Sequence, residues 1–232
     1  MPYRRFPKTD AARLKSLKTL LDNNDIYTVR NNIVDWKLLN QAQSLYDRLY
    51  TASGQYRLML KAQARHSAKI DKMMHNATMY VSHFLQVLFL AVERREIKNI
   101  HLNLYGLTVD TTALPNIKTG EGLVEWAPKI IEGEKTRIKK GGRPIYNPTI
   151  GMVATHFDIF KEAYDKQRTL VDKTQKALEQ TRALRPETDE LLFEIWNKVE
   201  KHYENEPPEV RFAKCRELGV IYYYRRHEPH LY

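Results

Sequence analysis

Residues 73–92 have the sequence MMHNATMYVSHFLQVLFLAV, and this stretch contains no Asp, Glu, Lys or Arg. Its length would suit a membrane-spanning helix, but it also carries polar side chains, among them His75, Asn76, Ser82, His83 and Gln86. Polar groups are costly in lipid, so this many in one span argue against a membrane segment. The stretch therefore predicts a helix that is buried inside protein.

The apolar side chains around this stretch recur every three or four residues, which is the spacing of a helix-bundle seam. A first run comprises Leu38, Ala42, Leu45, Leu49, Ala52, Tyr56 and Met59. A second run comprises Ile70, Met73, Ala77, Tyr80, Phe84, Val87 and Ala91. We expect a helical hairpin with a turn near 66–68, because Ala68 corresponds to Pro186 in the second half of the chain, where a proline followed by acidic residues marks a helix start. Because no Gly or Pro separates the two runs, one long kinked helix is the alternative.

The second half of the chain predicts two further helices. The first begins at Asn147-Pro148-Thr149, where either Asn147 or Thr149 is a suitable N-cap residue. The second runs from about Pro186 to Tyr203, since proline followed by acidic residues marks a helix start. Pro207 and Pro208 then end it. A turn is therefore expected near 185–187.

The two halves also resemble each other. A shift of 118 residues places Tyr46 on Tyr164, Asp71 on Asp189, Met73-Met74 on Leu191-Leu192, and Val81 on Val199. We interpret the chain as a single domain, 1–232, made of two repeats, about 1–113 and about 114–232. The predicted fold class is all-α: two tandem-repeated helical hairpins form a four-helix bundle with pseudo-two-fold symmetry, flanked by short helices.

A minor two-stranded β element completes the predicted fold. Residues Ile100–Tyr105 and Val220–Tyr224 are short, rich in β-forming side chains, and lie at the same place in each repeat. We expect these two segments to pair with each other.

The helix over residues 68–97 is apolar nearly all round, so it needs cover on several sides. One hypothesis is a homodimer whose contact comprises Phe84, Leu85, Leu88 and Phe89. The alternative is that short helices of the same chain cover this face.

No catalytic, cofactor or metal motif is present in the sequence. Cys215 is the one cysteine, which fits a reducing compartment, and we interpret it as a buried helix residue rather than a nucleophile. His75 and His83 share one helix face, but that stretch offers no carboxylate to complete a metal site. We predict no cofactor and no metal. An enzyme whose catalytic site is assembled from residues distant in the sequence is an alternative for the function of the chain.

Positive charge is the remaining functional signal. The net charge is +10, and residues 1–115 contribute +8 of it, with 17 Lys and Arg against 9 Asp and Glu. Such an excess attracts nucleic acid or an acidic partner. The candidate anion or nucleic-acid contacts are Arg4, Arg5, Lys139, Lys140, Arg143, Arg225 and Arg226.

Three segments resemble a family of uncharacterised bacterial helical proteins. They are PYRRFPKTDAAR at residues 2–13, EIWNKVE at residues 194–200 and GVIY at residues 219–222. The resemblance implies a bacterial, cytoplasmic setting and a globular chain over most of its length. It implies no activity, cofactor or catalytic residue.

Two hypotheses for function follow. The first is a non-enzymatic helical scaffold or interaction protein, a cytoplasmic homodimer with an unknown protein partner. The second is a nucleic-acid-binding protein that uses the basic first half and the aromatic, basic C-terminal tail.

Overall fold

The structure, a computed structural model, describes residues 2–23, 33–110 and 113–226. The chain is mostly helical, at 75%, which confirms the predicted class. The described residues form six α-helices: α1 (Asp10–Asn23), α2 (Trp36–Glu93), α3 (Gly120–Lys139), α4 (Ile150–Ala183), α5 (Arg185–His202) and α6 (Pro208–Glu217). A 3-10 helix (Asn99–Tyr105) follows α2, and two short strands, β1 (Tyr3–Arg4) and β2 (Tyr222–Tyr223), form a sheet.

The predicted turn near 66–68 is wrong, because α2 runs through it as one helix of 58 residues. The segment 61–70 contains only residues that a helix tolerates well, with neither Gly nor Pro to interrupt the hydrogen-bond ladder. Close to the turn predicted near 185–187 there is a helix break: α4 ends at Ala183 and α5 begins at Arg185, with Leu184 between them in an α conformation. Residues 185–187 themselves are helical, and the hairpin stays a prediction. Pro186 lies in the first turn of α5, where its missing N–H costs nothing.

The chain forms two compact units. The terminal unit comprises Met1–Leu60 and Lys173–Tyr232, and the central unit comprises Lys61–Asp172. Both α2 and α4 contribute residues to each unit. These boundaries differ from those of the predicted repeats, 1–113 and 114–232, which stay a prediction.

The core of the terminal unit surrounds Trp196, which is fully buried on α5. Side chains of α1, the start of α2, α5 and α6 pack with it, among them Leu17, Leu20, Leu39, Leu192, Val199 and Cys215. β1 and β2 pair antiparallel at the edge of this unit, with Tyr3 opposite Tyr223 and Arg4 opposite Tyr222.

The predicted pairing of Ile100–Tyr105 with Val220–Tyr224 is therefore wrong. The first segment lies in the 3-10 helix, and β2 pairs with β1 instead. Leu102 and Tyr105 are both buried, and their spacing of three places them on one face of a 3-10 helix, which has three residues per turn. Gly106 ends the helix with a φ of 76°, which favours glycine.

The core of the central unit contains apolar side chains of the uncharged stretch, residues 73–92. Phe84, Leu85 and Leu88 are fully buried, and they belong to one core with residues of the 3-10 helix, α3 and the start of α4. The predicted dimer contact is wrong for these three residues, because their own chain covers them. Phe89 is half-buried, and His75, His83 and Gln86 are exposed. Within the described ranges, no helix combines the length and apolar character needed to span a bilayer.

Candidate nucleic-acid interface

The β1–β2 ribbon brings together cationic residues from the two ends of the sequence. Arg4 and Arg5 lie on and beside β1, and Arg225 and Arg226 follow β2. The backbone N–H of Arg5 extends the pairing by donating to the carbonyl of Ile221 at 2.9 Å. Four of the seven predicted anion contacts are thus positioned by one small sheet, although the two pairs are more than 200 residues apart.

Two tyrosines face each other on this ribbon. The rings of Tyr3 and Tyr223 have centroids 5.9 Å apart at an interplanar angle of 41°, and they are 37% and 38% exposed. The Arg225 guanidinium carbon lies 4.3 Å from the centroid of Tyr3, and that of Arg5 lies 5.7 Å from the centroid of Tyr223. These distances are within the range of cation–π attraction. The ribbon therefore presents alternating aromatic rings and guanidinium groups to solvent.

Arg4 has a different role from the one predicted. Its Nη1 donates to Glu200 Oε2 at 2.9 Å and to Asn197 Oδ1 at 2.7 Å, and its guanidinium carbon lies 5.2 Å from the centroids of both Phe6 and Phe193. These contacts hold β1 against α5, so Arg4 is chiefly a positioning residue.

A groove of about 720 Å³ lies beside the ribbon, and it is lined by Arg4, Arg5, Phe6, Pro7, Lys8, Arg13 and Tyr223. No acidic side chain is among them. Arg13 is buried and bonded to both carboxylate oxygens of Asp189, at 2.8 and 2.7 Å. Arg5 and Lys8 form no ion pair with any described residue. We call this surface the terminal groove. It carries positive charge, because Arg5 and Lys8 have no carboxylate to balance them among the described residues.

The hydroxyl of Tyr222 secures the other strand. Its Oη donates to Glu200 Oε1 at 2.5 Å, so one carboxylate receives hydrogen bonds from both β1 and β2. Burial, followed by this bond to a carboxylate, raises the pKa of Tyr222 far above its usual range. Cys215 is fully buried nearby, and burial raises the pKa of its thiol. The interpretation of Cys215 as a buried residue is confirmed, and its environment opposes thiolate formation.

The other three predicted contacts, Lys139, Lys140 and Arg143, lie in the central unit, at the end of α3 and in the loop after it. That loop borders a cavity of about 770 Å³, the central cavity, whose lining includes Lys98, His101, Lys140 and Arg143. Lys139 does not line it. Lys98 and His101 were not among the predicted residues, because the 3-10 helix that carries His101 was interpreted as a strand.

A buried trio, Tyr105, Glu134 and Arg137, underlies this loop. Glu134 Oε1 and Oε2 accept from Arg137 Nη2 at 2.7 Å and Nε at 2.8 Å, and Tyr105 Oη donates to Oε2 at 2.5 Å. Burial alone would raise the pKa of Glu134, but hydrogen bonds from Arg137, Tyr105 and the Ile145 N–H outweigh it, and the pKa is lowered. Burial, then the bond to Glu134, raises the pKa of Tyr105 far above its usual range. The trio was missed because Glu and Arg three apart are ordinary on an exposed helix face.

None of the described histidines belongs to a group of side chains that could hold a metal ion. His75 and His83 are exposed on α2, and His227 and His230 lie outside the described residues. In the part of the chain that the structure describes, no three His, Cys, Asp or Glu side chains are grouped so as to hold a metal ion.

Comparison with known proteins found no matching family model, curated protein or solved structure. The resemblance to a family of bacterial helical proteins therefore stays a prediction.

Proposed function

We propose that the chain is a non-enzymatic interaction protein whose partner is single-stranded nucleic acid, bound at the terminal groove. The observation that carries the proposal is the exposed Tyr3–Tyr223 pair flanked by Arg5 and Arg225. Bases stack on aromatic rings and on guanidinium planes, and each stacked base contributes about 1–3 kcal/mol. The ribbon offers both kinds of surface side by side.

The charge around the ribbon favours a phosphate backbone over a protein surface. The terminal groove contains no acidic side chain, and the nearby carboxylates of Asp189 and Glu200 are already bonded to Arg13 and Arg4. Arg5 and Lys8 are left to attract anions. Phosphate contacts position a strand without reading its sequence, and stacking tolerates any base. We therefore expect binding with little sequence preference.

A non-enzymatic role is supported by how the buried titratable groups are used. Glu134 is satisfied by Arg137, Tyr105 and a backbone N–H, and Glu200 by Arg4 and Tyr222. Both clusters hold backbone segments in place. The thiol of Cys215 contacts Tyr222 in the second cluster, but burial raises its pKa, which opposes the thiolate that covalent catalysis requires.

The test is a fluorescence-anisotropy titration of a labelled oligothymidylate at about 50 mM and about 200 mM salt. Replacing Arg5 and Lys8 with Ala should lower the slope of log affinity against log salt by roughly 1.4, because each single-strand phosphate contact contributes about 0.7. Tyr223→Ala should weaken binding roughly tenfold through lost stacking.

The matched control removes the same charge elsewhere in the terminal unit. Lys18 and Lys37 are exposed on α1 and α2 and do not line the terminal groove, so Lys18→Ala with Lys37→Ala should leave the slope unchanged. Tyr50→Ala removes an exposed tyrosine of α2 and should leave affinity unchanged. Equal losses in control and test variants would assign binding to diffuse charge and reject the groove.

The finer architecture is also a proposal. Each unit combines the early helices of one predicted repeat with the late helices of the other. The terminal unit contains α1 and the start of α2 together with α5 and α6. The central unit contains α3 and the start of α4 together with the end of α2. This common composition supports two tandem repeats, and the four-helix bundle with pseudo-two-fold symmetry remains a prediction that rests on it.

Self-association remains a proposal as well. Phe89 is the one predicted contact residue that is not fully buried, and Leu90 beside it is 47% exposed. Both line a groove of about 640 Å³ that also includes the apolar residues Val92, Leu102 and Val109, with Gln86, Glu93 and Asp110 as its polar part. We propose a homodimer through this groove in a cytoplasmic, bacterial setting.

A further inference from the structure

We propose that the central cavity is a second ligand site, specific for a small organic phosphate of the mononucleotide class. The cavity has a volume of about 770 Å³, which is within the range of small-molecule pockets. It lies in the central unit, whereas the terminal groove lies in the terminal unit. The inference does not depend on the proposed function.

The cations that line the cavity are not neutralised by the protein. Lys98, Lys140 and Arg143 are exposed, and none of them forms an ion pair with a described residue. The cavity lining contains one carboxylate, Glu96, and one further arginine, Arg137, whose charge is balanced by buried Glu134. The lining therefore carries a net positive charge of about two, which suits a phosphate monoester dianion.

The loop that carries Lys140 and Arg143 is held in place from beneath. Arg137 Nη2 donates to the carbonyl of Arg143 at 2.7 Å, the Gly142 N–H donates to the carbonyl of Arg137 at 3.1 Å, and the Ile145 N–H donates to Glu134 Oε1 at 3.1 Å. One buried ion pair thus fixes the loop on both sides of Arg143. Such pre-organisation lowers the entropy cost of binding an anion there.

The rest of the lining favours a ligand with an apolar or aromatic part. Val87, Ala91, Ile97 and Ile145 contribute aliphatic surface, and Tyr146 is 76% exposed at the rim. An aromatic ring this exposed gains little from folding, but it can stack on a planar base. A mononucleotide has both parts that this lining favours: a phosphate for the cationic side chains and a planar base for Tyr146.

Isothermal titration calorimetry with AMP, ribose 5-phosphate, inorganic phosphate and adenosine tests the proposal. AMP should bind most tightly. Lys140→Ala with Arg143→Ala should weaken AMP binding at least tenfold, because charge-assisted hydrogen bonds to phosphate are lost. Tyr146→Ala should weaken AMP but not ribose 5-phosphate. Circular dichroism should show that these exposed substitutions leave the fold intact.

Lys139→Ala is the matched control, since Lys139 is adjacent in sequence but outside the cavity lining, and it should bind AMP as the unmodified chain does. Arg5→Ala with Lys8→Ala should also leave AMP binding unchanged. The proposal is overturned if AMP does not bind, if Lys139→Ala weakens binding as much as the cavity variant, or if ribose 5-phosphate binds as tightly as AMP.

Discussion

Glu134 shows how one buried carboxylate can organise a loop. Glu134 is fully buried. Its carboxylate accepts hydrogen bonds from the guanidinium of Arg137, the phenol of Tyr105 and the backbone N–H of Ile145. Its charge and that of Arg137 balance each other at 2.7 Å. A buried pair of this kind contributes little net stability when intact, but it is costly to break, because the remaining charge is left buried.

Replacing Glu134 with Gln should lower the free energy of unfolding by about 3–5 kcal/mol at neutral pH. The pKa of Glu134 is lowered in the folded state, so the stability that its charge provides is present above the unfolded-state pKa, about 4.3, and is lost as the pH falls through the lower folded-state value. Urea titrations from pH 7 downwards should show a steeper acid loss for the unmodified chain than for Glu134→Gln. If the stability of both proteins fell equally with pH, the charge of Glu134 would not be the cause of the acid loss.

The pattern of charged residues in the sequence did not distinguish this carboxylate from a solvated one. Burial is decided by what packs over a residue, and the 3-10 helix over α3 was interpreted as a strand. The cationic residues were easier to predict, because charge is read directly from the sequence. Their position on one surface could not be predicted, because Arg5 and Arg225 are brought together by the pairing of β1 with β2, which are more than 200 residues apart in the sequence.

At the scale of elements, helix periodicity predicted the existence of the helices and local composition decided their ends. Pro186 separates α4 from α5, whereas Ala68, at the corresponding place in the first half, lies inside a continuous α2. The hairpin was predicted at residues 66–68 because the corresponding residue in the second half is a proline, but Ala68 does not interrupt a helix. The strand prediction also failed, because a segment as short as Ile100–Tyr105 suits a 3-10 helix when Leu102 and Tyr105 are the buried pair.

The contact between α3 and the 3-10 helix depends on a glycine. A Cβ on Gly133 would lie 2.7 Å from the Leu104 carbonyl oxygen and 2.9 Å from Tyr105 Cα. These are backbone atoms, so Gly133→Ala must separate the two elements, and we expect a loss of roughly 1–3 kcal/mol of stability.

Gly54→Ala is the control for that substitution. Gly54 lies inside α2, where a Cβ would meet nothing within 4 Å. The same replacement should there stabilise the chain by roughly 0.5–1 kcal/mol, because glycine is entropically unfavourable in a helix. Urea unfolding of both variants checks the opposite signs. Two changes of the same sign would mean that helix propensity, and not close packing, decides the outcome at Gly133.

At the scale of the whole molecule, the sequence predicted a buried uncharged helix, and residues 84, 85 and 88 are in the core. It did not predict the division into a terminal and a central unit. That division depends on which distant segments pack together, and no local pattern encodes such pairings.

Association of whole chains is tested by sedimentation velocity. We expect a dimer that Leu90→Glu converts to monomer, because a charge would be placed in the proposed contact. Ile159→Glu is the matched control: Ile159 is also 47% exposed in the central unit and does not line the groove, so this variant should stay dimeric. A monomeric unmodified chain, or equal effects of both substitutions, would reject the contact.

The terminal unit is built from two separate segments, whereas the central unit, Lys61–Asp172, is continuous. A growing polypeptide emerges from the ribosome at roughly 5–20 residues per second, and domains fold as their residues become available. The central unit can therefore close before α5, α6 and β2 have been translated, while residues 1–60 await partners that do not yet exist. A chain still being synthesised can thus form its central cavity before the terminal groove, whose lining is complete only after Tyr223 of β2 has been translated.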